Sequence, residues 1–282
     1  MTIQDVISEC VAALYSNDLV RSFLILKGGT ALSISENIQK RLSTDIDFSV
    51  SGEIENPGMF FGEIANILKD HFFKLNYELF DYKYSVKPSN RSAKDPVFWG
   101  GYEVNFKLIP AKHGIEVIDQ KRRNAVIPKG SISSNISLEI SEHEFCGLIK
   151  KFPFHGSTVC AYDPALLILE KLRAICQQHP NYRYRKFGKN RARDFFDIYQ
   201  LLSKHRSASF YSTLKDNIYE VFKAKETPIE LARSIFSDDF LALQKDGFEE
   251  VRNTVSAVEG RIEDFDFYVE QLQLLVDRIV PQ

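Results

Sequence analysis

A short apolar run that stops at two glycines, followed by a second run carrying two acidic residues, most constrains the fold of this chain. Residues 23–26 predict a buried strand, Gly28 and Gly29 end it, and a helix is predicted from about residue 30 to 36. A second strand is predicted from Asp45 to Val50. This order predicts a mixed α/β structure in which the end of the first strand lies beside the second strand.

The second predicted strand carries Asp45 and Asp47, which are two residues apart. Because side chains alternate along a strand, both carboxylates project from one face, with Cα atoms about 6.6 Å apart. Ile46 and Phe48 then face the core. Two adjacent carboxylates repel each other unless a cation lies between them, so the pair predicts a site for Mg²⁺ or Mn²⁺. The alternative is the solvated edge of an amphipathic strand.

The four residues between the first strand and the helix predict a phosphate site: Lys27, Gly28, Gly29 and Thr30. Glycine allows the backbone to approach a ligand, and a helix N-terminus offers unpaired N–H groups to phosphate. The Thr30 hydroxyl adds one more polar group. A tight turn without a ligand is the alternative, but the acidic pair on the neighbouring strand favours a nucleoside triphosphate bound beside a metal ion.

Strand patterns continue to about residue 140 and then give way to helical patterns. Strands are predicted over 77–86, 97–108 and 136–140, and a long helix is predicted from Pro57 to about Phe73. The later helices are predicted over 164–177, 193–203, 208–223, 228–236, 237–250 and 264–279. We therefore expect an α/β (α+β) fold, with a mixed-sheet core over residues 1–162 and a helical domain over 163–282.

The overall composition excludes several classes of protein. Apolar residues make up 44% and charged residues 26% of the chain, and the formal net charge of −2 gives no general attraction to nucleic acid. The four cysteines form no C-x-x-C pair, so neither a zinc site nor a disulfide framework is indicated. No apolar stretch approaches the roughly 20 residues of a membrane span, and the acidic N-terminus does not fit a signal peptide. These features predict a cytoplasmic protein without membrane contact.

Residues 26–32 and 41–50 resemble the signature of the polymerase-β-type nucleotidyltransferase superfamily. More narrowly, they resemble the abortive-infection toxins of the AbiEii/AbiGii type, which include MenT-like toxins. In that family a Gly-Gly turn precedes R-x-S-x-D-x-D, a pattern that Arg41 and Ser43 match together with the acidic pair. The resemblance implies that Arg41 and Ser43 contact the nucleotide. It also implies transfer of a nucleotide from an NTP, release of pyrophosphate, and a role in growth arrest that a cognate antitoxin counters.

Lys171 lies on an apolar stripe of a predicted helix, with Leu167, Ile168, Ala174 and Ile175 as its neighbours. An unpaired ammonium group is costly in such a place, so it either reaches water or has an anionic partner. Residues 170–175 resemble the family's helix with a phosphate-binding lysine. The resemblance implies that Lys171 is catalytic and that the triphosphate is its partner.

Residues 191–202 resemble the family's R-D-x-x-D helix. Asp194 and Asp197 are three residues apart and share a face near the helix start, where acidic residues are also favoured by the helix dipole alone. The resemblance implies that one of them orients the lysine, the nucleotide or the metal-bound acceptor. We favour Asp194 as the catalytic member, with the adjacent Arg193 binding the nucleotide.

A third carboxylate usually completes the metal site in this superfamily, within a strand of the pattern apolar–acidic–apolar. Glu139 lies between Leu138 and Ile140 and fits that pattern. Glu103 and Asp119 are the alternatives.

Residues 183–193 contain six basic side chains and no acidic one, with two aromatic residues among them. Guanidinium groups pair with phosphates and aromatic rings stack on bases, so Arg183, Arg185 and Lys186 are predicted to bind an RNA acceptor. A solvated loop is the alternative. The resemblance implies RNA as acceptor, with the tRNA 3′ end expected. Transfer to a protein hydroxyl, and nucleotide or RNA binding without turnover, are the two other hypotheses.

Overall fold

The computed structural model describes most of the chain. The described residues are 1–38, 45–90, 95–111, 114–185, 188–255 and 262–281. Arg41, Ser43 and Lys186 therefore lie outside the described residues.

Seven strands form one mixed sheet within the described residues. They are β1 (Leu24–Lys27), β2 (Ile46–Val50), β3 (Tyr77–Lys87), β4 (Gly101–Pro110), β5 (Ile136–Ser141), β6 (Ile149–Phe154) and β7 (Ser157–Tyr162). Their order across the sheet is β3-β4-β5-β2-β1-β7-β6. Strand β1 pairs with β2 antiparallel and with β7 parallel, while β2 pairs with β5 parallel. The two strands that carry the glycine turn and the acidic pair are therefore neighbours near the centre of the sheet.

Helices cover the sheet and form most of the chain after Asp163. They are α1 (Ile3–Tyr15), α2 (Asp18–Phe23), α3 (Gly28–Glu36), α4 (Pro57–Lys74), α5 (Ile118–Arg123), α6 (Pro164–Cys176), α7 (Ala192–Lys204), α8 (Ala208–Lys223), α9 (Leu231–Ser234), α10 (Asp238–Lys245), α11 (Phe248–Val255) and α12 (Phe265–Ile279). The predicted α/β class with a mixed sheet is confirmed. The division into two domains at residue 162 stays a prediction, although the last described strand ends there. None of the described helices is both long and apolar enough to span a bilayer.

Two helices determine where the candidate site lies. Helix α3 begins directly at Gly28, so its N-terminus adjoins the end of β1. Helix α6 begins after Asp163, whose carboxylate accepts a hydrogen bond from the Leu166 amide at 2.8 Å. Helix α6 contacts β7 and packs against α7 and α8, so it connects the sheet to the helical part of the chain.

A hairpin between residues 149 and 162 was not predicted. Strands β6 and β7 pair antiparallel and are joined by His155 and Gly156, which both have positive φ angles of 45° and 80°. Two consecutive residues of positive φ are the geometry of a tight hairpin turn, so His155-Gly156 was the missed signal. Residue 23, which was predicted to begin β1, instead ends helix α2.

The single helix predicted over 237–250 is wrong, because two helices, α10 and α11, occupy this range. The side chain of Asn190 donates hydrogen bonds to the carbonyl oxygens of Leu243 and Gln244, at 2.8 and 2.9 Å. It therefore caps the last turn of α10 from a distant part of the chain. Gly247 lies under this side chain, where a Cβ would be 2.1 Å from Asn190.

Candidate active site

Acidic residues from neighbouring strands lie in one row across the sheet. Asp47 of β2 is paired in register with Lys27 of β1 on one side and with Glu139 of β5 on the other. Glu139 is in turn paired with Glu103 of β4. Ile46 is fully buried on the opposite face of β2, as the alternation predicted. The sheet register therefore brings Asp47 and Glu139, which are distant in sequence, side by side.

The three candidates for a third carboxylate differ in their surroundings. Glu139 is exposed and lines the same cavity as Asp47. Glu103 forms an ion pair with Lys87 at 3.0 Å, and Asp119 pairs with Arg122 on the surface at 3.5 Å. Glu139 alone among them combines the position beside Asp47 with access to the cavity.

Gly28 provides the close approach between the turn and the acidic pair. Its φ angle is +64°, and a Cβ at this position would lie 2.2 Å from Oδ2 of Asp47. A Cβ at this position would require the Asp47 side chain to shift, and the positive φ angle also favours glycine. The backbone of the α3 N-terminus consequently lies directly against the Asp47 carboxylate.

Thr30 differs from its predicted role in the phosphate site. Its hydroxyl donates a hydrogen bond to the carbonyl oxygen of Asp45 at 2.8 Å, and only 1% of the residue is exposed. The hydroxyl is therefore bound to the backbone just before β2 and does not line the first cavity described below. This contact holds Asp45 in place and keeps Thr30 away from the cavity.

The pKa of Asp47 is raised mainly by burial of its carboxyl group. Burial raises the pKa of Asp47 from its ordinary value of 3.8 to about 6, and although Lys27 opposes the shift, the charges of Glu139 and Asp45 add to it. Among the described residues, no group of three or more His, Cys, Asp or Glu side chains is already gathered as a set of metal ligands. A divalent cation that uses one or two carboxylates plus phosphate and water fits this donor set, because Mg²⁺ commonly binds in that way.

Lys171, Asp194 and Asp197 form a buried cluster, here called the Lys171 cluster. The Lys171 Nζ donates to Oδ1 of Asp194 at 2.9 Å and to Oδ2 of Asp197 at 2.7 Å. The three residues are 8%, 8% and 1% exposed, respectively. The predicted need for an anionic partner is confirmed, but the protein itself supplies two partners. Both aspartates, rather than one, hold the lysine, and contact between Lys171 and the triphosphate stays a prediction.

A second buried set of charges was missed by the sequence analysis and is here called the Glu144 cluster. Its members are Lys27, Glu144, Glu170, Arg173 and Lys225. Glu144 lies 3.4 Å from Lys27, 3.0 Å from Arg173 and 3.1 Å from Lys225. Arg173 also contacts Glu170 at 3.0 Å. The available signal was the occurrence of Glu170 and Arg173, besides Lys171, within the otherwise apolar helix α6.

The two carboxylates of the Glu144 cluster are affected in opposite directions. Burial raises the pKa of Glu170 to about 7, and the charge of Glu144 adds to this shift. Burial also disfavours the charged form of Glu144, but Arg173, Lys27 and Lys225 together hold its pKa well below its usual range. Glu144 is thus the anion that three cations share.

One cavity of about 750 Å³ joins these groups and is here called the first cavity. The residues predicted from sequence that line it are Lys27, Gly28, Gly29, Asp45, Asp47, Glu139, Lys171, Arg193 and Asp194. The five members of the Glu144 cluster also line it. A cavity of this size is typical of a site for one small ligand. Arg193 lies at its rim, paired with Glu250 at 3.0 Å.

A second cavity of about 400 Å³ adjoins the first. Its lining is formed by Trp99, Gln177, Gln178, Tyr182, Tyr184, Arg185, Lys189 and Arg191. Trp99, Gln177 and Arg191 line both cavities, so the two meet at these side chains. Of the residues predicted to bind an acceptor, Arg185 lines the second cavity. Arg183 instead pairs with Glu226, and its guanidinium lies 4.3 Å from the ring centre of Tyr184.

Comparison with known proteins places the chain in a family. A family model described as the nucleotidyl transferase AbiEii toxin of type IV toxin–antitoxin systems matches residues 11–271. Among solved structures, the chain is similar to an antigenic nucleotidyltransferase-like protein from Paracoccidioides brasiliensis, with a TM-score of 0.41 and 12% identity, covering 79% of this chain and 93% of that one. No curated protein matches the chain. Since the family model covers most of its length, the chain belongs to the AbiEii nucleotidyltransferase toxin family and is a nucleotidyltransferase.

Proposed function

We propose that this nucleotidyltransferase uses Mg²⁺ to transfer a nucleotide from an NTP to an RNA acceptor, with the tRNA 3′ end as the expected acceptor. The observation that carries the proposal is the position of Asp47 in the first cavity, between Lys27 and Glu139 and against the Gly28 backbone. Carboxylates for a metal and amides for phosphate are thereby brought to one place.

In this proposal Asp45 and Asp47 hold the divalent cation together with phosphate and water, and Glu139, paired in register with Asp47, is the third carboxylate that would join them when the cation binds. The raised pKa of Asp47 supports this role, since the crowded negative charges that help to cause it are relieved when a cation is bound. A divalent cation, when bound, supplies charge neutralisation for the triphosphate and activation of the acceptor hydroxyl. Mn²⁺ has similar ligand preferences and would also be accepted.

The remaining side chains orient the nucleotide. Gly28 and Gly29 present backbone amides at the start of α3, where an anion is favoured. Lys171 is fixed by Asp194 and Asp197, so its charge is held in position before the substrate arrives. Such chemistry depends mainly on positioning and electrostatics, which few residues can provide. Roles for Arg41 and Ser43 in nucleotide binding stay predictions.

The second cavity supports RNA as the acceptor. It combines Arg185 and Arg191 with three aromatic residues, Trp99, Tyr182 and Tyr184. Guanidinium groups contact phosphates and aromatic side chains stack on unpaired bases, which is how single-stranded RNA ends are bound. Because this cavity shares three lining residues with the first, an RNA end bound there would be next to the proposed nucleotide site.

One assay tests the proposal and its alternatives. The purified protein is incubated with Mg²⁺, each α-labelled NTP in turn, and total RNA or total protein. The proposed function predicts label on RNA, with the strongest labelling on tRNA, and none when Mg²⁺ is chelated. Label on protein would instead support transfer to a protein hydroxyl, and NTP binding without any label would support a binding module. The type IV toxin–antitoxin family further predicts that expression of the protein arrests growth and that a cognate antitoxin restores it.

A further inference from the structure

Arg173 is almost completely buried, yet much of its hydrogen-bonding capacity is unused. The residue is 5% exposed and lines the first cavity. Its Nη2 atom donates to Oε2 of Glu144 and to Oε1 of Glu170, both at 3.0 Å. Its Nε and Nη1 atoms are buried and have no hydrogen-bond partner among the described residues. These two atoms carry three of the five N–H groups of the guanidinium.

Such unsatisfied donors are rare in proteins and here they are confined to the cavities. Most buried polar atoms have a hydrogen-bond partner, and arginine cannot lose its proton to avoid the cost of burial. Within the described chain, the other buried side-chain atoms without a partner are Nε of Arg185 and Nε of Arg191. Both of those residues line the second cavity. The unused donors therefore all belong to arginines that line the two adjoining cavities, which indicates an anionic ligand.

The surroundings of Arg173 leave an excess of positive charge. Lys27 and Lys225 both contact Glu144, and their side chains are 12% and 7% exposed. Three cations thus share two carboxylates in the Glu144 cluster. In the Lys171 cluster one ammonium faces two carboxylates at 2.9 and 2.7 Å, and the guanidinium of Arg191 lies 3.5 Å from Asp194, so cations and carboxylates are equal in number. Of the two clusters, the Glu144 cluster is therefore the one in which cations outnumber carboxylates, and Arg173 is its member with unused donors.

We infer that Arg173, with Lys27 and Lys225, forms a subsite for the terminal phosphates of the triphosphate and for the pyrophosphate product. The inference rests on the proposed function, in which the reacting phosphate lies at the acidic pair. Lys27 connects the two places, because it is paired in register with Asp47 and also contacts Glu144. Lys171, which the protein already neutralises, would then act nearer the reacting centre than the terminal phosphates.

Binding of inorganic tripolyphosphate, measured by isothermal titration calorimetry, tests the subsite without a nucleobase or an acceptor. The decisive variant is Arg173→Lys, which keeps a positive charge between Glu144 and Glu170 and removes the unused N–H groups. We expect its affinity for tripolyphosphate to fall about tenfold or more, the scale of one hydrogen bond to a charged group. The matched control is Arg233→Lys, which alters an arginine paired with Asp277 away from both cavities and should leave the affinity unchanged.

Two further measurements separate the subsite from folding and from the proposed function. If Arg173→Lys lacks a cooperative melting transition, Lys27→Met replaces it, and a similar loss of affinity is expected. Unchanged tripolyphosphate affinity in the folded variant would overturn the inference. The proposed function would still stand if the wild-type protein labels RNA. An Arg173-dependent affinity in a protein that does not label RNA would support the subsite and reject the proposed transfer to RNA.

Discussion

The carboxylate of Asp47 lies directly against the backbone of Gly28. A Cβ at Gly28 would be 2.2 Å from Oδ2 of Asp47, closer than any non-bonded contact. This contact joins the two motifs of the sequence, the glycine turn after β1 and the acidic pair on β2. Any ligand that binds the α3 N-terminus is therefore adjacent to a carboxylate of the acidic pair.

The first prediction concerns Gly28→Ala. Since Gly28 has φ of +64°, alanine should cost about 1–2 kcal/mol of backbone strain, and its methyl group should also displace Asp47. We expect nucleotidyl transfer to be lost. Gly114→Ala is the matched control, because Gly114 has φ of +54° and no atom lies within 4 Å of a Cβ there. In chemical denaturation the control should lose a similar free energy of unfolding, but it should keep its activity. Equal activity of the two variants would contradict the prediction.

The second prediction is a pH dependence of stability due to Asp47. Its pKa is raised in the folded protein from 3.8 to about 6, so the folded state binds a proton more tightly than the unfolded state does. The contribution of this bound proton to the free energy of unfolding is fully present below pH 4 and is lost as the pH rises through 6. Asn cannot titrate, so the free energy of unfolding of Asp47→Asn, relative to that of wild type, should increase between pH 4 and pH 7. Urea denaturation at several pH values measures this difference.

Magnesium provides the complementary measurement for Asp47. Adding Mg²⁺ at pH 7.5 should raise the melting temperature of the wild type, because a ligand stabilises the state that it binds. The rise should be smaller at pH 5, where Asp47 is protonated, and smaller still in Asp47→Asn, which should also lack transfer activity. A difference in stability that is flat with pH, together with full activity of the variant, would reject the metal role of Asp47.

The third prediction is that Lys171→Met destabilises the protein. The substitution removes the ammonium that lies between Asp194 and Asp197 and leaves two buried carboxylates, of which Asp194 keeps a contact with Arg191 at 3.5 Å. Breaking a buried ion pair from one side costs about 3–5 kcal/mol, so the midpoint of urea denaturation should fall markedly. The variant Lys171→Met/Asp194→Asn/Asp197→Asn removes the uncompensated charge and should recover most of the loss. No loss in the single variant would mean that the cluster contributes little to folding.

Lys171 also illustrates how far the sequence could predict the site. Its position on an apolar stripe required a water or an anion nearby, and this followed from the spacing of apolar residues alone. The partner could not be identified in that way, because Asp194 lies on another helix and only the packing of α6 against α7 brings the two together. The resemblance supplied the triphosphate as partner, whereas the folded chain already provides two aspartates.

The same reasoning applies to the fold and to the Glu144 cluster. Local patterns predicted the glycine turn, the acidic strand and the start of α6 at Pro164, because caps and periodicity act over a few residues. Glu144 contacts Lys27, Arg173 and Lys225, which belong to three distant segments. No local pattern specifies such a contact, since it depends on the order of strands in the sheet and on the packing of helices against it.

The fourth prediction separates two neighbouring arginines of the basic segment. Arg185 lines the second cavity, whereas Arg183 pairs with Glu226 on the surface, so only Arg185 is placed to contact a ligand in that cavity. Arg185→Gln should raise the KM for an RNA acceptor several-fold and weaken its salt dependence, because a phosphate contact is lost. Arg183→Gln is the matched control and should change the KM much less. Steady-state transfer to RNA at several salt concentrations measures both values, with the KM for NTP expected to be equal in the two variants. Equal losses for Arg183 and Arg185 would favour a diffuse basic surface over a defined acceptor cavity.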